Sequence, residues 1–441
     1  MKKILILVIS FFGIAFGSTS QATEIGFKEF DLPNGLHVIV QEDHSVPIVA
    51  VSVMYHVGSK NEQADRTGFA HFFEHLMFEG TKYIERHQYD KLVESAGGTL
   101  NANTTNDRTY YYEILPSNQL ELGLWLESER MMHARVDSIG IATQKGVVIE
   151  EKKQNYDNKP YGSFLPEVLK HAYTTHPYQW STIGNADHIK AAKDAEFKKF
   201  YESFYVPNNA VLVLAGDISF AEAKKLTEKY FTDIPSKKGE IFRPTIVEEI
   251  KHKEVRDTIY DNIQLPAIFE AYHIPARGSK DYYAVEMLSQ LLATGQSSRL
   301  YKSLVDEQQL AVEVAAIPLP FEDPGLAIIL ALPNMGLDCA KLEAAMQKEI
   351  EKTQNEIIPE KEFQKLKNQV ENQIVTQNST IASRANTLAE DYTYYKDANR
   401  INTDLSKYMA VIPQDIKRVA NDYFRKDNRV VLYYLPKSAK K

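Results

Sequence analysis

His71-Phe72-Phe73-Glu74-His75 is the stretch from which the rest of this chain can be read. Residues four apart on a helix share a face, about one turn from each other. The two histidines can therefore reach a single tetrahedral Zn²⁺, and Glu74 lies where a metal-activated water needs a base. Phe72, Phe73, Leu76 and Met77 also fit a buried amphipathic helix whose histidines are merely satisfied in the core. A catalytic zinc needs a third protein ligand and one open position. The run Gly146-Val147-Val148-Ile149-Glu150-Glu151-Lys152-Lys153 offers one, because carboxylates interrupt an apolar stretch whose helical pattern continues on both sides. Helical neighbours point about 100° apart, so only one of Glu150 and Glu151 can face the metal.

Further segments follow in order: Phe78-Glu79-Gly80-Thr81, then Gly97-Gly98-Thr99-Leu100-Asn101-Ala102-Asn103-Thr104, His176-Pro177-Tyr178 and Ile183-Gly184. Tyr205-Val206-Pro207-Asn208-Asn209-Ala210 and Ala215-Gly216-Asp217 complete the set. In this order and spacing the chain resembles the pitrilysin-type (inverzincin, M16-like) zinc metallopeptidases, the family of insulin-degrading enzyme and the mitochondrial processing peptidase. Its length matches the bacterial half-length branch, similar to the processing peptidase β subunit. The resemblance implies an α+β fold of two homologous mixed domains, each a sheet packed with helices. It implies one Zn²⁺ per chain held by His71, His75 and Glu151, with Glu74 as general base for hydrolysis of peptides or unfolded polypeptides. Extended substrate would add along the edge strand carrying Asn101 and Ala102. Gln144, where family members often carry glutamate, would support the metal site without binding the ion.

The second half departs from the family. Active single-chain members carry an arginine and, seven residues later, a tyrosine that hold the substrate carbonyl; the matching positions here are Val305 and Val312. Valine donates no hydrogen bond to a developing oxyanion. The resemblance therefore implies a heterodimer whose homologous partner supplies the arginine and tyrosine. The alternative is a noncatalytic structural or binding subunit, but such members usually lose zinc ligands that this chain keeps.

At 441 residues the chain exceeds one compact core. A composition 44% hydrophobic and 25% charged is that of a folded protein, and a net charge of −8 argues against a nucleic-acid partner. Lys2, Lys3 and the apolar run Ile4–Phe16, shorter than a membrane span, lead to the small residues of Ser20-Gln21-Ala22. Residues 1–22 thus read as a cleavable signal peptide, with export to the periplasm or medium and no stable membrane anchor afterwards. The single cysteine, Cys339, allows no intrachain disulfide and reads as a small core residue.

Asn34-Gly35 between two β-prone runs predicts a hairpin, and Val46–Val57 a further strand. Strands are expected in 101–114 and 211–214, and helices over 120–132, 139–155, 195–204 and 220–230. Pro235, Lys237, Lys238 and Gly239 break the pattern, dividing a zinc-binding domain, 23–235, from a peptidase-like domain lacking zinc ligands, 236–441. Laying Gly80 on Gly295 sets His71, Glu74 and His75 on Glu286, Ser289 and Gln290, an internal repeat with its metal site missing. Pro359–Tyr395 carries a long helical pattern, softly broken at Asn378-Ser379-Thr380, with a charged face expected in solvent.

Overall fold

The computed structural model describes residues 24–249 and 251–440, so the expected signal peptide lies outside the described residues. Asn34-Gly35 turns the chain between β1 (Lys28–Asp31) and β2 (His37–Glu42), which pair antiparallel, and Gly35 takes the positive φ of +85° that this reversal demands. Four more strands complete the first sheet: β3 (Ile48–Tyr55), β4 (Thr99–Thr104), β5 (Thr109–Pro116) and β6 (Ala210–Gly216), in the order β1-β2-β6-β3-β5-β4. The helices of this half are α1 (Phe69–Leu76), α2 (Tyr89–Ser95), α3 (Leu120–His133) and α4 (Ser138–Lys152). They continue with α5 (Phe164–Ala172), α6 (Ala186–Ala191), α7 (Asp194–Phe204) and α8 (Phe220–Phe231).

An irregular linker leads to the second sheet: β7 (Val255–Asp261), β8 (Ala267–His273), β9 (Ala311–Leu319), β10 (Leu326–Pro333) and β11 (Arg429–Pro436), ordered β7-β11-β8-β10-β9. Its helices are α9 (Tyr282–Ala293), α10 (Arg299–Tyr301), α11 (Cys339–Asn355), α12 (Glu360–Gln377), α13 (Ile381–Tyr395), α14 (Arg400–Met409) and α15 (Pro413–Tyr423). If β1 is set aside, the two sheets have one topology. β2 pairs parallel with β6 as β7 does with β11, and every other pairing is antiparallel in the corresponding place. The duplicated α+β fold expected from the sequence is what the chain adopts, and α9 is the topological counterpart of α1.

Both faces of each sheet are covered, which is why β6 (Ala-Val-Leu-Val-Leu-Ala-Gly) is apolar and buried at every position instead of alternating. On one face of the first sheet Val51, Val53, Leu212 and Leu214 pack with Phe72 and Phe73 of α1, Leu124 of α3 and Phe197 of α7. The opposite face, with Ile39, Ala50, Val211 and Val213, is covered from the other half of the chain by Ile381, Ala385 and Leu388 of α13. The exchange is reciprocal: Val168, Leu169 and Ala172 of α5 cover Phe269, Ile328 and Leu432 in the second sheet. Each half thus closes the core of the other.

This exchange corrects the expectation for the long helical pattern. Thr380 caps α13 at the predicted break, but the charged face of α13 is not simply in solvent. Arg384 hydrogen-bonds Gln41, and Glu390, largely but not fully buried, takes Arg277 Nη2 at 2.8 Å and Arg108 Nη2 at 3.3 Å. The helix crosses a foreign sheet, so its carboxylate is paid for by arginines from both halves. A second polar knot joins the halves where Lys60, buried before α1, meets Asp107 at 3.0 Å, Asp323 at 3.3 Å and Glu322.

Candidate metal centre

Gly68 at the N-cap of α1 has φ +95° and no side chain to cap the helix, so capping comes from a distance. The Glu62 carboxylate accepts from Gly68 N and Ala70 N, each at 2.8 Å. Gly184 packs so closely here that a Cβ on it would lie 2.3 Å from Gly68 N, which explains the glycine in Ile183-Gly184. Farther along, the Tyr111 hydroxyl donates to Phe73 O at 3.0 Å, tying α1 to β5. The helix is fixed at both ends before any metal is considered.

Its half-buried face presents His71, Glu74 and His75. His71 Nε2 and His75 Nε2 lie 3.4 Å apart, and Glu151 Oε2 of α4 lies 3.6 Å from the first and 3.1 Å from the second. Zinc–ligand bonds near 2.0–2.1 Å put tetrahedral ligand atoms about 3.3 Å apart, so these three atoms have the spacing of one face of a zinc tetrahedron. Glu151 Oε2 is buried without a well-aligned hydrogen bond, as a carboxylate oxygen meant for a cation would be. His71, His75 and Glu151 are the one such donor cluster among the described residues. Glu150 is exposed and bonded to Gln154 and Lys153, so of the two neighbours only Glu151 joins the cluster.

Burial and the neighbouring His75 charge push the His71 imidazole down to about 4, leaving it neutral and able to donate a lone pair at neutral pH. The close approach of the His75 imidazole is the main cause that holds the Glu151 carboxyl below its usual range. Glu74 moves the other way. Burial raises its pKa against the Thr104 hydroxyl, which lies close without a well-aligned hydrogen bond, and against the charges of His75 and Arg108.

Gln144 does not enter the cluster. Its amide donates to Glu79 Oε1 at 2.7 Å, and Arg86 donates to Glu79 Oε2 at 2.8 Å while also pairing with Asp137, the N-cap of α4. These groups clamp the end of α1 to α4 and so set the distance from the histidines to Glu151. Gly140 belongs to the clamp: a Cβ there would meet Arg86 Nη1 at 3.0 Å and Leu76 at 3.3 Å. Sequence reasoning missed Glu62, Glu79 and Arg86; a glycine N-cap was the one signal that some distant acceptor must serve α1.

Asn101 and Ala102 lie on β4, the outer strand of the first sheet, beside α1. Thr105 N donates to Arg108 O across the hairpin, so by alternation the N–H groups of Leu100, Ala102 and Thr104 face outward. Asn101 Oδ1 accepts from Ala102 N at 2.8 Å, covering one of these outward donors. In the second half, Val312 is 47% exposed at the start of the corresponding outer strand, β9, and Val305 is partly buried. The α9 positions matched to the metal residues make other bonds: Glu286 accepts from Tyr408, Ser289 donates to Val285 O and Gln290 to Gln373.

Residues 37–186 match the family model described as insulinase (peptidase family M16), and residues 193–370 that of the peptidase M16 inactive domain. The chain belongs to peptidase family M16. Among M16 relatives, the zinc protease PqqE of Helicobacter pylori is 29% identical over 408 residues, 92% of each chain. An uncharacterized zinc protease of Bacillus subtilis, YmxG, is 22% identical over 92% of this chain and 97% of its own. The crystal structure of a protease from Helicobacter pylori superposes with a TM-score of 0.89 at 28% identity, covering 93% of this chain and all of that one. The periplasmic protease PqqL of Escherichia coli shares the fold at a TM-score of 0.76 and 19% identity, with 93% of this chain spanning 47% of that one.

Proposed function

We propose that this chain is a zinc-dependent endopeptidase acting on peptides or unfolded polypeptides. The observation that carries the reading is the triangle of His71 Nε2, His75 Nε2 and Glu151 Oε2 at tetrahedral spacing with Glu74 beside it. Two imidazoles and a carboxylate are a catalytic donor set, three protein ligands that leave one position open. One zinc ion held there would supply Lewis-acid polarisation of a carbonyl and a water acidified toward neutral pH.

The chain's own residues do the rest. Glu74 accepts a proton at its carboxylate and returns it to the leaving amine, and its raised pKa brings it toward the working pH. Activity should therefore fall on the acid side at a higher pH than an ordinary glutamate near about 4.3 would give. The outward backbone groups of β4 around Asn101 and Ala102 pair with an extended substrate, giving affinity with little sequence preference. Gln144 steadies Glu79 and hence the spacing between α1 and α4.

Val305 and Val312 leave the carbonyl without donors from the second half, so the competent species is a heterodimer with a homologue bearing arginine and tyrosine there. The length of PqqL, of which this chain spans 47%, supports a working unit of two such folds. The chain divides at 235/236 into the zinc-bearing domain and its metal-free counterpart, and residues 1–22 direct export to the periplasm or medium. Among the described residues no helix is long and apolar enough to cross a membrane.

Metal content with peptide cleavage tests the reading. Glu74→Gln should keep one zinc per chain and lose about 10²–10⁴-fold in turnover. His71→Ala and Glu151→Ala should lose the metal as well, whereas Glu150→Ala should keep both metal and activity. Near-normal turnover by Glu74→Gln in the paired assembly would refute the base assignment.

A further inference from the structure

A cavity of about 700 Å³ lies between α7, the segment before α1 and the linker at 242–246, and none of the four metal-site residues lines it. That volume suits a small organic ligand. Its walls carry Trp180, Phe200 and Phe204, and the linker contributes Phe242 and Ile246, which are 56% and 47% exposed. Large apolar side chains left in water at the mouth of a cavity gain from being covered, by about 25 cal/mol for each Å².

The charge on the walls is lopsided. The lining carboxylates are engaged already, Glu62 by the α1 backbone and Glu196 by Arg66 at 2.7 Å. Lys60 is matched by its acidic neighbours. Lys199, Lys237 and Arg243 have no carboxylate within ion-pair distance among the described residues; Lys237 reaches Ser203 O, and Arg243 the side chain of Asn209 and Phe242 O. Burial strips water from Arg243 and lowers its pKa, and the charge of Glu322 only partly opposes this.

We propose that this cavity binds a small amphipathic carboxylate, an aromatic or short aliphatic acid, with its apolar body against Phe204 and Phe242 and its charge toward Lys199, Lys237 and Arg243. Glu62 and Phe69 form part of the wall. An occupant therefore stiffens the start of the helix that carries His71 and His75, a coupling that rests on the metal-site reading whereas the binding itself does not.

Calorimetric titration of the zinc-loaded protein with 4-phenylbutyrate, octanoate and the uncharged 4-phenylbutanamide tests the proposal without reference to peptidase activity. The acids should bind saturably, one per chain, at least about tenfold tighter than the amide. Lys199→Gln with Lys237→Gln should weaken the acids about tenfold and leave the amide unchanged, while Lys198→Gln, off this wall, should change neither. Phe242→Ala should weaken all three ligands. Hydrogen exchange of residues 62–76 should slow when 4-phenylbutyrate binds. No saturable binding of either acid, equal affinity for acid and amide, or indifference to the paired lysine substitutions would overturn the site. Binding without protection of residues 62–76 would overturn the coupling to α1.

Discussion

Helices α1 and α9 occupy the same place in two copies of one topology, each between the third and the outermost strand of its sheet, yet one carries the histidines of a candidate metal-donor cluster and the other does not. In α1 five of eight residues are buried, and the remaining face holds His71, Glu74 and His75. In α9 ten of twelve are buried, and Glu286 and Gln290 are tied to Tyr408 and Gln373. The scaffold asks only that an apolar stripe meet the sheet; the chemistry is three side chains on the opposite face and one carboxylate from another helix. A copy without those four lacks the donor set and keeps its fold. It is then free to contribute other groups to a shared site, but in this chain the side chains of Val305 and Val312 offer no hydrogen-bond donor.

The sharpest way to break the comparison is to supply a second half of the other kind. Assayed alone, the chain should show little cleavage of an unfolded polypeptide. Adding a co-expressed homologue with arginine and tyrosine at these positions, and no histidine motif, should raise kcat about 10²–10³-fold or more, the usual worth of an oxyanion donor. A homodimer brings only the same valines. Full activity from the isolated chain would mean that the metal-bearing half suffices.

The next test asks whether the halves form one cooperative unit. Lys60→Met leaves Asp107, Glu322 and Asp323 facing one another at their junction and should cost about 3–5 kcal/mol in denaturant unfolding. The same junction has a pH signature. Burial pushes the Glu322 carboxyl up, but the hydrogen bond from His56 and the charges of His56 and Lys60 outweigh it and hold it at about 2. Its folded pKa lies below the unfolded value near 4.3, so the stability it contributes is fully present above that value and is lost as pH falls toward about 2. Wild type should therefore lose more melting temperature between pH 5 and 3 than Glu322→Gln. Parallel acid profiles would remove the carboxylate from the account.

The sequence disclosed what is local. The hairpin at Asn34-Gly35, the α1 pentapeptide, the break before α13 and the strand at 211–214 follow from turn chemistry, periodicity and capping. The choice of Glu151 over Glu150 needed family spacing, because helix geometry alone said only that one of them could serve. The exchange of α5 and α13 was not legible: an amphipathic pattern says that a face is buried and never against which sheet. For the same reason the charged face of α13 read as solvated, and no local pattern marks Glu62, Glu79 and Lys60 as buried, although each is.

A gentler perturbation probes how α1 and α4 are held together. Gln144→Ala removes the amide from Glu79 but leaves Arg86 on it. Groups that orient metal ligands typically contribute 10–100-fold in affinity or activity, so zinc affinity should fall by about that factor while excess metal still fills the site. Zinc stoichiometry remaining at zero in excess metal would mean that Gln144 is itself a ligand.

The smallest expected effect is the most pointed test of the pairing between helices. Gln290 stands where the repeat places His75, and its one side-chain hydrogen bond, to Gln373 at 2.8 Å, lies at the exposed edge of α9. A surface hydrogen bond of this kind exchanges readily with water, so Gln290→Ala should change stability by less than about 0.5 kcal/mol. It should leave zinc content and the cleavage rate of the paired enzyme untouched, whereas His75→Ala at the equivalent place should empty the site. The two substitutions remove similar side chains from equivalent helices, so the contrast isolates the metal cluster from the scaffold. A marked loss of activity in Gln290→Ala, with zinc retained, would give α9 a catalytic part of its own and undo the division of labour between the halves.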